Sequence, residues 1–317
     1  MQLFTKFALL ARRGAARLRI ARRAKESPIS ALNSPALPLL GGASEDQLFD
    51  FVTSICVQDA PAKEMYDYAS QDFERFLRTV GLLDGLTGRC LELGGNPYFT
   101  TLLIQKYTKL EPTVANYFDD SFGSEGTQAV QYTDPETSER KRITIDFAHF
   151  NVEEADFPYD SGSFDVVIFA EIIEHLLMDP CAVLREIRRV LKPGGHLILT
   201  TPNVARLENV ARLLSGANIY DPYSGYGAYG RHNREYNQHE LYMLLTHEGF
   251  EPEIMYSADV HDNLASNYWD PTELESLLTH RKEGLGQYLF SRSKVKSVAP
   301  EKRPRWLYRS YPEDELD

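Results

Sequence analysis

The sequence predicts a doubly wound α/β protein built on a seven-stranded, mainly parallel sheet. Apolar, strand-like runs recur from Gly88 to about Lys294, helical stretches separate most of them, and turn residues mark the junctions. Strands that alternate with helices imply crossover connections, which make neighbouring strands parallel and place helices on both faces of the sheet.

Taken in order, residues 1–44 form a basic segment and a linker. Residues 1–25 hold eight Lys or Arg and no acid, on a chain whose net charge is -12. On a helical wheel Phe7, Leu10, Ala11, Gly14, Leu18 and Ala21 share one side of residues 1–24, and Arg12, Arg13, Arg17, Arg19 and Arg23 lie mostly on the other. Such a segment suits the surface of an anionic membrane, an Arg-rich targeting peptide or a solvated tail. Ser, Pro and Gly then mark the linker. Residues 45–87 predict two helices, near 45–58 and 62–81, with Ser44 as a cap for the first.

The sheet region spans 88–294. Strands are predicted at 89–93, 113–118, 143–149, 164–170, 195–201, 252–257 and 287–292. Helices are predicted near 98–107, 179–191, 204–215, 238–248 and 272–280. The polar stretch 119–142 differs. Its Thr133-Asp134-Pro135 turn signal lies between Val130-Gln131-Tyr132 and Arg142-Ile143-Thr144, which predicts a β-hairpin in place of a crossover helix. Residues 295–317 read as a peripheral tail.

Composition narrows the function. An acidic body repels polyphosphate, so no nucleic-acid partner is expected. Cys56, Cys90 and Cys181 have neither disulfide-framework nor zinc spacing, which predicts a reducing compartment, the cytoplasm, and no metal. No apolar run reaches the roughly 20 residues that span a bilayer.

Two junctions carry the chemistry. Cys90-Leu91-Glu92-Leu93-Gly94-Gly95-Asn96-Pro97-Tyr98 runs from a strand through a Gly-rich turn towards a helix, a geometry that brings backbone close to a nucleoside. Phe164–Ala170 leads into Glu171-Ile172-Ile173-Glu174-His175, and Leu191-Lys192-Pro193-Gly194-Gly195 turns sharply into the next strand. In this order the pieces resemble class I S-adenosylmethionine-dependent methyltransferases, a Rossmann-like fold. The likeness runs from Leu91 to Asn203 and on to Phe250. It is nearest to the type 11-like branch that methylates small molecules, quinones and sugars, above all in FPYDSGSFDVVIFAEIIEHLLMDPCAVLREIRRVLKPGGHLILTTPN.

The resemblance implies S-adenosyl-L-methionine as cofactor. Carried over by position, Glu92, Gly94 and Asn96 form the loop under its methionine part, Asn151 and Val152 face its adenine, and Glu171 starts the loop beside the sulfonium. Two departures stand out. Asn96 and Tyr98 occupy positions that are glycine in the family; Asn tolerates left-handed φ, and Tyr98 fits if its position is already helical. The acid expected at the end of the second strand is displaced, with Phe118 in its place, and Asp119 is the choice for the ribose.

The resemblance also implies that 204–237 is an insertion above the strand ends, a lid over the acceptor. It holds Tyr220, Tyr223, Tyr226, Tyr229, His232, Arg234, Glu235 and Tyr236, punctuated by Gly225, Gly227 and Gly230. Tyr223, Tyr226, Arg234 and Tyr236 suit a polar cyclic acceptor, a small molecule, glycan or lipid-linked sugar. Removing a hydroxyl proton needs a base, for which His232 and His175 are the candidates. The alternative is a non-catalytic scaffold that binds an adenosyl ligand, prompted by the altered glycines. A nucleotide-dependent dehydrogenase is disfavoured because G-x-G-x-x-G is missing.

The basic segment carries a prediction of its own. If it contacts membranes, residues 1–24 add affinity for anionic vesicles that declines as salt rises, and deleting them leaves turnover of a soluble acceptor intact. Cosedimentation of full-length and truncated protein checks this; equal binding of the two contradicts it.

Overall fold

The computed structural model describes residues 35–317 apart from 155, 280, 282, 297 and 299, so the reading of residues 1–24 lies outside the described residues. Helix α1 (Glu45–Ser54) begins where the sequence places it. The Ser44 hydroxyl accepts from the Gln47 amide at 3.3 Å, and the Gln47 side chain accepts from the Ser44 amide at 2.9 Å, a reciprocal cap. The helix ends before the predicted residue 58 because Cys56–Val57 form a short strand, β1. The helix predicted over 62–81 is two, α2 (Ala62–Gln71) and α3 (Phe73–Gly81). They part at Asp72, whose carboxylate meets Arg75 Nε at 3.4 Å and His261 Nε2 at 3.3 Å.

The sheet region follows as β2 (Thr87–Leu93), α4 (Phe99–Tyr107), β3 (Lys109–Asn116), β4 (Glu125–Thr133), β5 (Arg140–His149) and β6 (Phe164–Ala170). Then come α5 (Pro180–Val190), β7 (Leu191–Pro202), α6 (Leu207–Leu214), α7 (Gln238–His247), β8 (Phe250–Ala258), α8 (Pro271–Leu277) and β9 (Tyr288–Val295). All seven predicted strands are present. Parallel pairing runs from β5 through β3, β2 and β6 to β7, and the last strand, β9, lies antiparallel between β7 and β8.

Among the described residues the sheet has nine strands, not seven, in the order β1-β4-β5-β3-β2-β6-β7-β9-β8. The two additions are β1 and β4. The predicted hairpin is the source: β4 pairs antiparallel with β5 from Thr133↔Arg140 to Glu125↔Ala148 and lengthens the sheet where a crossover helix was replaced. Asp134 shapes its turn by accepting from the amides of Glu136 at 2.9 Å and Thr137 at 3.3 Å and from Lys141 Nζ at 2.5 Å.

The sheet is covered on both faces. Val166 and Ile168 of β6 join Leu48, Phe73, Phe76 and Leu103 in one core, while Val167 and Phe169 join Leu184, Ile187, Leu241 and Leu244 in the other. The tail is less peripheral than the sequence suggested. Tyr308 and Leu316 are buried in the second core, and Arg303 Nη2 meets Asp179, the N-cap of α5, at 2.7 Å.

The strand order reverses direction at β2, which has β3 on one side and β6 on the other. Ligands of doubly wound sheets bind in the crevice outside the strand C-termini at such a switch point. The β2–β6 register, Glu92↔Ile168 and Leu93↔Phe169, sets the turns after the two strands side by side, so Glu92 and Glu171 lie at the same end of the sheet.

Candidate active site

At the switch point is a cleft of about 180 Å³ lined by the ends of β2, β3, β5 and β6 and by Tyr229. Larger hollows lie beside Pro38 and Tyr107 and beside Tyr242 and Arg281, and neither is lined by the turns after β2 and β6. The turn after β2 makes the cleft's floor. Gly94 has φ 70°, and a Cβ there would stand 2.8 Å from Ile172 Cδ1 in the facing turn. A Cβ on Gly95 would stand 2.7 Å from Val114 Cγ1. Gly94 needs glycine for its left-handed conformation, and at either position an added Cβ would force its neighbour to shift.

The two departures from glycine are held by neighbours that the sequence does not bring together. Asn96 is not left-handed; its amide donates to Asn116 Oδ1 at 3.0 Å and its side chain to Gln128 Oε1 at 2.9 Å. Tyr98, expected in helical geometry, is instead left-handed at φ 72°, ψ 18°, which costs a non-glycine residue about 1–2 kcal/mol. Its buried ring and its hydroxyl offset that: the hydroxyl accepts from Asn116 Nδ2 at 3.1 Å and donates to Gln128. Gln128 belongs to β4, so the added hairpin strand supports the altered turn.

Gly94, Asn151, Val152, Glu171 and His175 line the cleft, joined by Asn116, Tyr117, Phe150 and Ile172, which the sequence reading did not select. Glu92, Asn96 and Asp119 do not. Glu92 is buried beneath the turn, where Thr101 Oγ1 of α4 donates to it, and burial raises its carboxyl to about 7. Asp119 lies beyond the end of β3 in an exposed turn, accepting from the Ser121 amide at 2.8 Å, and Asn116 ends the strand in its stead. Asn151 is shared: its Nδ2 donates to the Tyr229 hydroxyl at 3.0 Å and its Oδ1 accepts from the Glu153 amide at 3.0 Å.

The turn after β6 brings ionisable groups to the cleft. Glu171 has φ 56°, accepts from Thr200 Oγ1 at 2.7 Å and faces Arg75 Nη1 at 4.0 Å; burial raises its pKa against the pull of Arg75. Glu174 is buried beside it, and burial, reinforced by Glu171, raises its pKa strongly. The rings of His175 and His232 meet edge to face with centroids 5.0 Å apart. Burial lowers the pKa of His175, with His232 adding to it. For His232 burial pulls downward, but a 2.9 Å contact with Glu235 outweighs it and raises the pKa. One ligand atom each from Glu174, His175 and His232 lies within 4.8 Å of the others, residue types that can ligate a metal and that are gathered from separate stretches of the chain.

The lid residues divide. Tyr229 turns inward, whereas Tyr223 and Tyr226 are 91% and 93% exposed and line no cleft wall. The guanidinium of Arg231 lies 4.8 Å over the Tyr223 ring. Arg234 pairs with Glu240 of α7, outside the cleft. Tyr236 is a core residue, buried among the leucines of α7 and bridging to Asn203. Aromatic and cationic side chains at close spacing do not reveal which of them the backbone turns inward.

The sequence profile of a family described as "Methyltransferase domain" matches residues 62–253. The chain belongs to this methyltransferase-domain family. It is 35% identical over 109 residues, 34% of this chain and 36% of the other, to a Mycolicibacterium smegmatis protein named "Probable S-adenosylmethionine-dependent methyltransferase". It is 39% identical over 62 residues to the ubiquinone biosynthesis O-methyltransferase of Marinobacter nauticus, 19% of this chain and 26% of the other. The chain thus spans about a third or less of the length of these curated relatives. Among solved structures it is similar to an S-adenosylmethionine-dependent methyltransferase of Archaeoglobus fulgidus (TM-score 0.44, 13% identity, 69% of this chain and 91% of that one).

The cleft fits S-adenosylmethionine. The side-chain-free Gly94 turn lets backbone border the cleft, and the Asn151-Val152 corner and the Glu171 carboxylate line the remainder.

Glu92 yields a test of its placement. A carboxyl raised from 4.5 to about 7 on folding binds its proton more tightly in the native state. Its contribution to stability is therefore complete below pH 4.5 and is lost as pH rises through 7, by roughly 3 kcal/mol in all. Glu92→Gln should remove this part of the decline, so the variant gains on the wild type between pH 4.5 and 8 in denaturant melts. Parallel pH profiles for the two proteins would mean that Glu92 is solvated.

Proposed function

We propose that the chain is an S-adenosylmethionine-dependent methyltransferase acting on a hydroxyl of a small cyclic acceptor, a quinol, phenol or sugar. The observation that carries this reading is one cleft that brings the Gly94 turn and the Asn151-Val152 corner together with Glu171 and His175, with the His232 ring against His175. Family membership supports methyl transfer, and the ubiquinone O-methyltransferase relatives favour oxygen as the acceptor atom.

Bound on the glycine turn, the cofactor supplies a methyl group on an already activated sulfonium. What the protein must then supply is alignment of the acceptor oxygen and an inexpensive loss of its proton. Tyr229, tied to Asn151, joins the lid to the cofactor side of the cleft. His232 contributes through Nε2, because its Nδ1 faces Glu235, which Arg206 holds from behind. His175 likewise presents Nε2, its Nδ1 lying 2.9 Å from the Arg231 carbonyl oxygen.

Incubation with methyl-labelled S-adenosylmethionine and fractionated quinols, phenols, lipids and oligosaccharides tests the reading, which expects label in one hydroxyl-bearing class. His232→Ala should lower turnover by about 10²–10⁴ while cofactor affinity stays near normal. A larger loss in His175→Ala would move the main role to that residue. No loss in either variant would remove the cluster from catalysis.

A further inference from the structure

Glu174 has an unmet demand. Its side chain is fully buried, its Oε2 accepts from Thr201 Oγ1 at 2.9 Å, and its Oε1 has no hydrogen-bond partner. Leaving a buried acceptor unmatched is costly, and a carboxylate more so. The nearest basic atom is His175 Nε2, 3.9 Å from Oε1. Both histidines are oriented as metal ligands are. His175 Nδ1 faces a carbonyl oxygen and His232 Nδ1 a carboxylate, acceptors to which each ring nitrogen can only donate, so the lone pair of each ring falls on Nε2.

We propose that Glu174, His175 and His232 bind one divalent transition-metal ion, with open coordination positions for oxygens of the acceptor. Two imidazoles and one carboxylate suit manganese, iron or zinc, and leave positions free on the ion. With ligand bonds near 2.1 Å, adjacent ligand atoms stand about 3 Å apart, so the three side chains need to close in from their 4.8 Å limit by about 2 Å at most. The supporting shell is in place: Thr201 on Glu174, the Arg231 carbonyl on His175, and Glu235 with Arg206 behind His232.

Only the ion's use rests on the methyl-transfer reading. A hydroxyl on such an ion loses its proton more readily, with the Glu171 carboxylate in the same cleft to accept it, and its oxygen takes the methyl from the sulfonium, which leaves as S-adenosylhomocysteine; the histidines act through the metal and not as free bases. The acceptor class that gains most has two adjacent oxygens, as in a catechol or vicinal diol, because both can reach open positions on one ion.

Chelator-treated full-length protein titrated with Mn²⁺, with free ion read by electron paramagnetic resonance, tests the site. One saturable Mn²⁺ per chain is expected. Glu174→Gln and His232→Asn should each weaken it at least tenfold while S-adenosylhomocysteine still binds by calorimetry. Thermal melts without metal guard against misfolding; Glu174→Gln keeps the side chain's shape and removes a buried charge, so it should melt no lower than wild type. If that variant is unfolded, His232→Asn decides. Absence of saturable binding of Mn²⁺ or Zn²⁺ up to millimolar concentration, or unchanged Mn²⁺ affinity in folded variants, overturns the proposal. Loss of S-adenosylhomocysteine binding by the wild type would instead strike the methyl-transfer reading and leave the Mn²⁺ result to stand by itself.

Discussion

The parallel pairing of β2 with β6 is the constraint on which the site depends. It is short, Cys90↔Val166 to Leu93↔Phe169, and it joins the two halves of the winding where the chain changes direction. Because the pair is parallel, both strands end at the same edge, and both turns face one crevice. The fit between those turns is close enough that Ile172 occupies the space a side chain on Gly94 would need. A slip of one residue in this register would turn Glu92 and Ile168 towards the opposite faces and separate the glycine turn from Glu171.

The same closeness gathers carboxylates. Glu92 and Glu174 are buried and Glu171 is partly buried near the strand ends, and burial raises the pKa of each. Arg75 answers part of this charge. It comes from α3, outside the sheet region, and its guanidinium packs over the rings of Phe76 and Tyr288 at 5.0 and 5.8 Å before facing Glu171. Asp72, at the break between α2 and α3, anchors it from the other side. The N-terminal helices are thus part of the electrostatics of the site as well as of its packing.

What was legible in the sequence follows from the range of the forces involved. Apolar runs report burial residue by residue, so every predicted strand is found, and Asp134 signals its turn through bonds to the next few amides. The break at Asp72 was not legible, because it answers to His261, far along the chain. Gly94, Asn151, Val152 and Glu171 follow from the family likeness and His175 from its suitability as a base, and the sheet brings them to one cleft. Asp119 misled because β3 stops at Asn116. Tyr236 misled because a tyrosine for a core and one for a lid look alike in one dimension. The meeting of His232 with Glu174 depends on how the insertion folds back, with the amides of Asn233 and Arg234 donating to the Glu174 carbonyl at 2.7 and 3.1 Å.

The central claim is that the crevice between the β2 and β6 turns holds the cofactor. Calorimetric titration with S-adenosylhomocysteine of the wild type and of Gly94→Ala addresses it most directly. The account predicts one site per chain in the wild type and an affinity at least tenfold weaker in a folded Gly94→Ala, whose added methyl strains a left-handed backbone and must shift Ile172, a residue that lines the crevice. Equal affinity in the two proteins, both folded, would contradict it and place the cofactor elsewhere.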